Sequence, residues 1–228
     1  MFERDGAHAR GLIDSPTAGI VPHRPRKIDE STAAHGQATD GLAEVVLHTR
    51  RAYGGGLLQV QRDIVRCPDG HVTYREFIRH PGAVMVIPML DEDQVVLERQ
   101  FRYPLGRAFI EFPAGKLESG EAIVDCARRE LLEETGYRAH SWTHLGGFHN
   151  AIGYSDERID VFLARSLEAD TARRDPGEVM EVFSVHWREL DAWVHDGRIT
   201  DVKTMVGIYW LERFLSGRWV PSPTQSAA

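Results

Sequence analysis

From Glu44 onward, short apolar runs alternate with turn residues along the chain. Runs that are rich in branched and aromatic residues, and are bounded by Gly, Pro, Asn or Asp, predict β-strands. The predicted strands cover residues 45–47, 57–65, 72–78, 82–90, 94–101, 141–148, 158–164 and 179–186. The turn signal Pro68-Asp69-Gly70 between the second and third of these predicts a β-hairpin.

Helical periodicity is confined to the second half of the sequence. Helices are predicted at 119–135, 187–194 and 201–215, the last with Thr200 or Asp201 as its N-cap and Gly217 shortly past its end. Many strands with few helices indicate an α+β fold, in which helices and a mixed sheet form an α-β-α sandwich. We expect the first strands to form an additional N-terminal antiparallel β-region.

The composition along the sequence divides the chain into four parts. Residues 1–41 mix Gly, Pro, Ser, Thr, Ala and His with charges and show no apolar period, so a mobile tail is predicted there. Residues 42–80 are expected to form the N-terminal β-region, 81–218 the main domain and 219–228 a C-terminal tail.

Composition and charge restrict the classes of partner. The formal net charge is 27 − 34 = −7, which argues against a protein that binds the nucleic-acid backbone. An acidic protein can still bind an anionic substrate when divalent cations bridge the two. The apolar run at 83–90 is too short to cross a bilayer, and no apolar signal core is present. Cys67 and Cys126 have no metal-ligand or redox spacing, so we expect a cytoplasmic protein.

The segment 115–137, GKLESGEAIVDCARRELLEETGY, carries the chemistry. On a helix with about 100° per residue, Glu130, Glu133 and Glu134 share one arc of about 100°. The adjoining arc is apolar and would pack against a sheet; it holds Ile123, Val124, Ala127 and Leu131. Clustered carboxylates repel one another, and oxygen-rich clusters suit hard cations such as Mg²⁺ or Mn²⁺. For the helix alone, a solvated acidic face is the alternative.

The residues around this acidic arc resemble the Nudix box, Gly-x5-Glu-x7-Arg-Glu-U-x-Glu-Glu-x-Gly-U, in which U is a bulky apolar residue. Every required position is matched, with aromatic Tyr137 at the last one: the others are Gly115, Glu121, Arg129, Glu130, Leu131, Glu133, Glu134 and Gly136. The resemblance implies a Nudix-type α-β-α sandwich and a pyrophosphohydrolase that requires Mg²⁺, with Mn²⁺ as an alternative.

The resemblance also implies roles for single residues. Glu130 and Glu134 would bind the metal, and Glu133 would be a further metal ligand or a catalytic group that orients the attacking water. The backbone carbonyl of Ala114 would complete the metal site. Arg129 would pair with acidic residues and set the geometry of the loop.

Outside the box, the sequence resembles the ADP-ribose pyrophosphatase-like branch of the family. The segments that carry this resemblance are 98–103 (ERQFRY), 111–115 (EFPAG), 153–157 (GYSDE) and 199–204 (ITDVKT). The branch implies hydrolysis of ADP-ribose to AMP and ribose 5-phosphate by a homodimer that forms through the N-terminal strands. Arg102 and Glu111 are the implied substrate contacts, and Glu178 is the implied catalytic base.

Two positions depart from the pattern of this branch. Ile152 stands where relatives usually carry Pro, and Pro176 where they often carry a second acid. The resemblance therefore leaves open another nucleoside diphosphate sugar, such as one like GDP-mannose, as the substrate. A Nudix-fold module that senses a nucleotide without turnover is the alternative from a different class of protein.

Overall fold

A computed structural model of the chain describes residues 41–174 and 176–221. The described chain begins with an antiparallel sheet of three strands, β1 (Val45–Gly54), β2 (Gln59–Arg66) and β3 (Val72–Arg79). At the predicted turn, Gly70 has a φ of +85° and its N–H donates to the carbonyl of Cys67 at 2.9 Å. The N-terminal β-region is thus confirmed, although β1 extends well past its predicted end at residue 47.

Two further sheets form the main body of the fold. Their strands are β4 (Ala83–Pro88), β5 (Gln94–Arg102), β6 (Arg107–Glu111), β7 (Ala114–Lys116), β8 (Tyr137–His149), β9 (Arg158–Ala169) and β10 (Met180–His186). One sheet has the order β7-β4-β9-β8 and is mixed, because β4 and β9 run parallel. The other is antiparallel, with the order β10-β5-β6. Strands β6 and β7 are not among the predicted strands, because both are too short to show a full period.

Helices cover both faces of the mixed sheet. Helix α1 (Ile123–Glu130) packs its apolar residues on β4 and β9. Helices α2 (Leu190–His195) and α3 (Val202–Leu215) close the core on the opposite face. The carboxylate of Asp201 accepts from Thr204 N–H at 3.0 Å, so one of the two predicted N-caps is confirmed. The predicted α-β-α arrangement is confirmed as well.

The helix predicted at 119–135 is shorter and less regular than expected. It begins only at Ile123, and its last turn, Leu131–Thr135, is π-helical. The hydroxyl of Thr135 donates to the carbonyl of Leu131, which draws a backbone acceptor away from the regular ladder. Gly136, with a φ of +74°, then ends the helix. Because a π-helical turn holds an extra residue, it changes the direction in which the carboxylates of this turn point.

The N-terminal sheet is attached to the main body at the end of β3. The N–H of Ile78 donates to the carbonyl of Tyr154 at 2.8 Å, and the carboxylate of Asp156 accepts from Arg79 and from the N–H of His80. All the described residues fall within one compact unit, and their helices are too short or too polar to cross a membrane. The predicted tails lie mostly outside the described residues, and the predicted boundaries at 41, 80 and 218 stay predictions.

Candidate active site

Two of the predicted metal ligands lie side by side where α1 passes into its π-helical turn. Glu130 is 9% exposed and Glu134 is 6% exposed. An oxygen of Glu134 accepts from the N–H of Ala114 at 2.9 Å, which brings the third predicted ligand residue to the same place. The carboxylate of Glu130 lies against Gly115, where a Cβ atom would come within 1.8 Å of Oε1. The structure therefore brings Ala114, Glu130 and Glu134 together.

Arg129 is the centre of an ion-pair network beside these carboxylates. Its guanidinium donates to Glu121 twice at 2.9 Å, to Glu130 at 2.7 Å and to Glu133 at 3.1 Å. A further bond of 3.1 Å to the carbonyl of Lys116 fixes the loop before the helix. The predicted pairing of Arg129 with acids is thus confirmed. These hydrogen bonds are the main reason that the pKa of Glu121 is lowered to about 2.

The buried carboxylates carry more negative charge than their surroundings neutralise. Burial raises the pKa of Glu134, and repulsion from Glu98 and from Glu130 adds to this effect. Burial also raises the pKa of Glu130 above its ordinary value. In residues 41–174 and 176–221, no three His, Cys, Asp or Glu side chains converge closely enough to hold an ion together. Arg129 accounts for this in part, because it draws Glu130 and Glu133 toward its own guanidinium.

One further buried acid near these carboxylates, Glu98, was not predicted from the sequence as a site residue. It lies on β5 with 1% of its surface exposed, and neither of its carboxylate oxygens has a hydrogen-bond partner among the described residues. Burial raises the pKa of Glu98 to about 7, with added repulsion from Glu111, its direct partner across the β5–β6 ladder. The sequence signal that could have identified Glu98 is its position directly after the apolar run Val95–Leu97, within a predicted strand. Unpartnered buried oxygens beside Glu134 fit a cation.

Arg102 and Glu111 form a bidentate ion pair. The Nε and Nη2 atoms of Arg102 donate to the two oxygens of Glu111 at 2.7 and 2.8 Å. Lys203 donates to the same carboxylate and, at 2.9 Å, to Asp201. Burial opposes ionisation of Glu111, yet the hydrogen bonds from Arg102 and the charge of Lys203 keep its pKa below the ordinary value. Glu111 thus holds two cations in place. Lys203 appeared in the sequence only within the matched segment 199–204.

A cavity of about 450 Å³ adjoins these residues. Its wall includes Arg102, Lys116 and Lys203, and it reaches Ala114 and Gly115 beside the carboxylates. Ligand pockets in proteins have volumes of roughly 300–1,000 Å³, so this one can accept a nucleotide-sized molecule in large part. The cavity therefore places cationic side chains next to the candidate metal ligands.

Glu178 lies in the exposed loop between β9 and β10. Its negative charge contributes to the raised pKa values of both Glu130 and Glu134, so the loop brings it near them. The same loop is attached to the π-helical turn, because Arg174 donates to the carbonyl of Glu134 at 3.0 Å.

Comparisons with known proteins show the family of this chain. Residues 79–204 match the NUDIX domain family. An "ADP-ribose pyrophosphatase" of Bacillus subtilis is 36% identical over 173 residues, which cover 75% of this chain and 94% of the relative. A "Methanol dehydrogenase activator" of Bacillus methanolicus is 35% identical over 171 residues, covering 74% and 92%. A solved structure described as "Crystal structure of ADP compounds hydrolase" has a TM-score of 0.71 at 20% identity, over 77% of this chain and 95% of the other.

The chain belongs to the Nudix family. The family predicted from segment 115–137 is confirmed, and with it the fold and the class of enzyme, a Nudix pyrophosphohydrolase similar to ADP-ribose pyrophosphatases.

Proposed function

We propose that this protein hydrolyses the pyrophosphate linkage of ADP-ribose, with Mg²⁺, to give AMP and ribose 5-phosphate. The observation that carries the proposal is the position of two buried carboxylates, Glu130 and Glu134, beside a cavity whose wall includes three cationic side chains among acidic and apolar ones. A diphosphate in that cavity would have cations on one side and metal ligands on the other. The name of the Bacillus subtilis relative favours ADP-ribose over other nucleoside diphosphate sugars.

In this proposal Glu130, Glu134 and the carbonyl of Ala114 hold the cation, and Glu133 is a further ligand or orients the attacking water. The excess of buried negative charge fits a divalent ion, with Mn²⁺ as an alternative to Mg²⁺. The ion would neutralise the diphosphate, polarise the scissile bond and acidify water. Arg129 keeps the loop before α1 in place through the Lys116 carbonyl.

Arg102 and Lys203 would bind the substrate's phosphate oxygens. A guanidinium and an ammonium are suited to this, since charge-assisted hydrogen bonds to phosphate are short and strong. Both cations already share Glu111, which is 2% exposed and receives bonds on both oxygens. We therefore assign Glu111 the positioning of Arg102 and Lys203, rather than the direct substrate contact expected from the sequence.

Glu178 would take the proton from the attacking water. An exposed carboxylate with access to solvent can both accept a proton and release it after each turnover. The Arg174 bond to the π-helical turn attaches one end of the loop, and Gly177, with a φ of +94°, lies next to Glu178. Such a loop can bring its last catalytic group into place when substrate binds.

We further propose that the protein is a homodimer formed through the N-terminal sheet. Large apolar side chains of β1 and β3 are exposed by about half, including Val45, Tyr53, Val72 and Tyr74. Contiguous exposed apolar surface often marks an interface between proteins. Sedimentation equilibrium at assay concentration is expected to give about twice the chain mass of 25.7 kDa; a fully active monomer would contradict this proposal.

The proposed location is the cytoplasm. Both cysteines, Cys67 and Cys126, are free thiols, and Cys126 lies in α1, where it is buried against the mixed sheet. Free thiols fit a reducing compartment.

The test of the proposed function is product analysis with a panel of nucleoside diphosphate derivatives. ADP-ribose, GDP-mannose and a dinucleotide would each be incubated with the full chain and Mg²⁺, and phosphate would be measured after treatment of the products with phosphatase. We expect the highest kcat/KM for ADP-ribose and no turnover in excess EDTA. A higher kcat/KM for GDP-mannose would show that ADP-ribose is not the preferred substrate. Tight binding of a nucleotide without any product would favour a Nudix-fold module that senses a nucleotide without turnover.

A further inference from the structure

Glu98 is the buried acid that the proposed reaction does not use. It projects from the face of β5 opposite the face that carries Val95 and Leu97 into the main core. Its ladder partner across β5 and β6 is Glu111, which lies three residues before Ala114, and the N–H of Ala114 donates to Glu134. Repulsion from Glu98 also contributes to the raised pKa of Glu134. Both of its oxygens lack a hydrogen-bond partner among the described residues, and only 1% of the residue is exposed.

A buried carboxylate without partners is unfavourable, and proteins normally pair or protonate such a group. The cations nearest to Glu98 do not serve this purpose. Arg102 gives two hydrogen bonds to Glu111, and Lys203 bonds to Glu111 and Asp201. The described side chains therefore leave the Glu98 oxygens free to accept bonds from something that enters the site.

We propose that Glu98 accepts hydrogen bonds from the water molecules that the divalent cation keeps when Glu130 and Glu134 bind it. This inference rests on the proposed metal dependence. Mg²⁺ loses its water reluctantly and usually retains several molecules, each of which needs an acceptor. An indirect contact agrees with the finding that Glu98, Glu130 and Glu134 do not converge to ligating distance among the described residues.

The experiment compares Mn²⁺ binding to the full chain and to four variants by electron paramagnetic resonance of the free ion. Outer-shell partners of a metal site typically contribute about tenfold to a hundredfold in affinity. Glu98→Gln is expected to weaken Mn²⁺ binding by that factor, and Glu134→Gln by more. The matched control is Glu181→Gln, because Glu181 is an exposed acid on the neighbouring strand β10 that pairs only with Arg99 among the described residues. It is expected to bind Mn²⁺ within about twofold of the wild type, since its surface ion pair lies outside the site.

Thermal unfolding separates this role from a purely structural one. Removing an unpartnered buried charge is expected to raise the Tm of the metal-free Glu98→Gln variant, while the further rise that Mn²⁺ causes becomes smaller than in the wild type. If Glu98 only supported the fold, the Glu98→Gln substitution would lower the Tm of the metal-free protein and leave the rise caused by Mn²⁺ unchanged. Glu98→Leu, which replaces the charge by an apolar group of similar volume, is the second variant and has the same expected outcome.

The Mn²⁺ affinities of the variants either support or overturn the inference about Glu98. If either Glu98 variant binds Mn²⁺ as tightly as the wild type while Glu134→Gln does not, the inference about Glu98 is overturned and the proposed metal site stands. If the wild-type protein itself binds no Mn²⁺, both the inference and the proposed metal dependence fail. A weaker affinity in both Glu98 variants, with Glu181→Gln unaffected, supports the inference.

Discussion

Replacing Gly115 by alanine would place a methyl group where the carboxylate of Glu130 lies. Gly115 belongs to β7 and does not have a positive φ, so its backbone conformation accepts alanine without strain. The clash is with the side chain alone. The new Cβ atom would lie 1.8 Å from Oε1, 1.9 Å from Cδ and 2.3 Å from Oε2 of Glu130. The substitution therefore tests the position of one proposed metal ligand.

The displacement can be worked out from these distances. Ordinary contact with a Cβ atom begins at 3.4 Å, so Oε1 must retreat by about 3.4 − 1.8 = 1.6 Å. Overpacking of a close-packed site costs roughly 1–3 kcal/mol of stability. Misplacement of a catalytic group by about 1 Å can lower the rate about a hundredfold. The hydrogen bond of Arg129 to Glu130 would be disturbed at the same time.

The assay measures kcat on ADP-ribose in saturating Mg²⁺ together with the Tm of the metal-free protein. We expect Gly115→Ala to lower kcat by about a hundredfold or more while the protein remains folded. Gly56→Ala is the matched control, because a Cβ atom at Gly56 meets nothing within 4 Å and its φ is ordinary. If kcat of Gly115→Ala stayed within about threefold of the wild type, the assignment of Glu130 to the metal site would be refuted.

Three further substitutions test the neighbouring roles. Glu134→Gln keeps the shape of a proposed metal ligand and removes its charge, so kcat in saturating Mg²⁺ should fall at least about a hundredfold; near-normal turnover would exclude that role. Glu178→Gln should lower kcat with KM roughly unchanged, and extra Mg²⁺ should not restore it; restoration would indicate a metal ligand instead of a base. Glu121 has its pKa lowered by Arg129, so its contribution to stability is present above about pH 4.5 and is lost as the pH falls toward 2. Urea unfolding of Glu121→Gln should therefore change less over that range than unfolding of the wild type, and equal slopes would contradict the ion pair.

The sequence was sufficient to predict the family and most of the elements. Long alternating or apolar runs such as 94–101 became strands almost as expected, because a half-buried strand needs only its own periodicity to be recognised. The short strands β6 and β7 lack a full period and were missed. The π-helical turn could not be predicted either, since the apolar and acidic pattern of 119–135 fits a regular α-helix equally well.

The site was predicted less completely than the fold. Glu130, Glu134 and Ala114 were recognisable because their spacing belongs to a matched motif, and the structure brings them together. Lys203 and Glu98 were not recognisable, because contacts between segments that are distant in the sequence place them near the site. Lys203 reaches Glu111 from α3, and Glu98, on the distant strand β5, contributes to the raised pKa of Glu134.

Because of the π-helical turn, the motif residues alone are not sufficient to rebuild this site in another protein. In a regular α-helix each residue advances the side-chain direction by about 100°, whereas a π-helical turn spends one more residue on a full rotation. Segment 115–137 grafted onto a straight helix would keep every motif residue, yet it would aim the carboxylate of Glu134 away from Ala114. Thr135 and Gly136 travel with this segment, but a designer must also transplant the loop that Arg174 attaches to the turn.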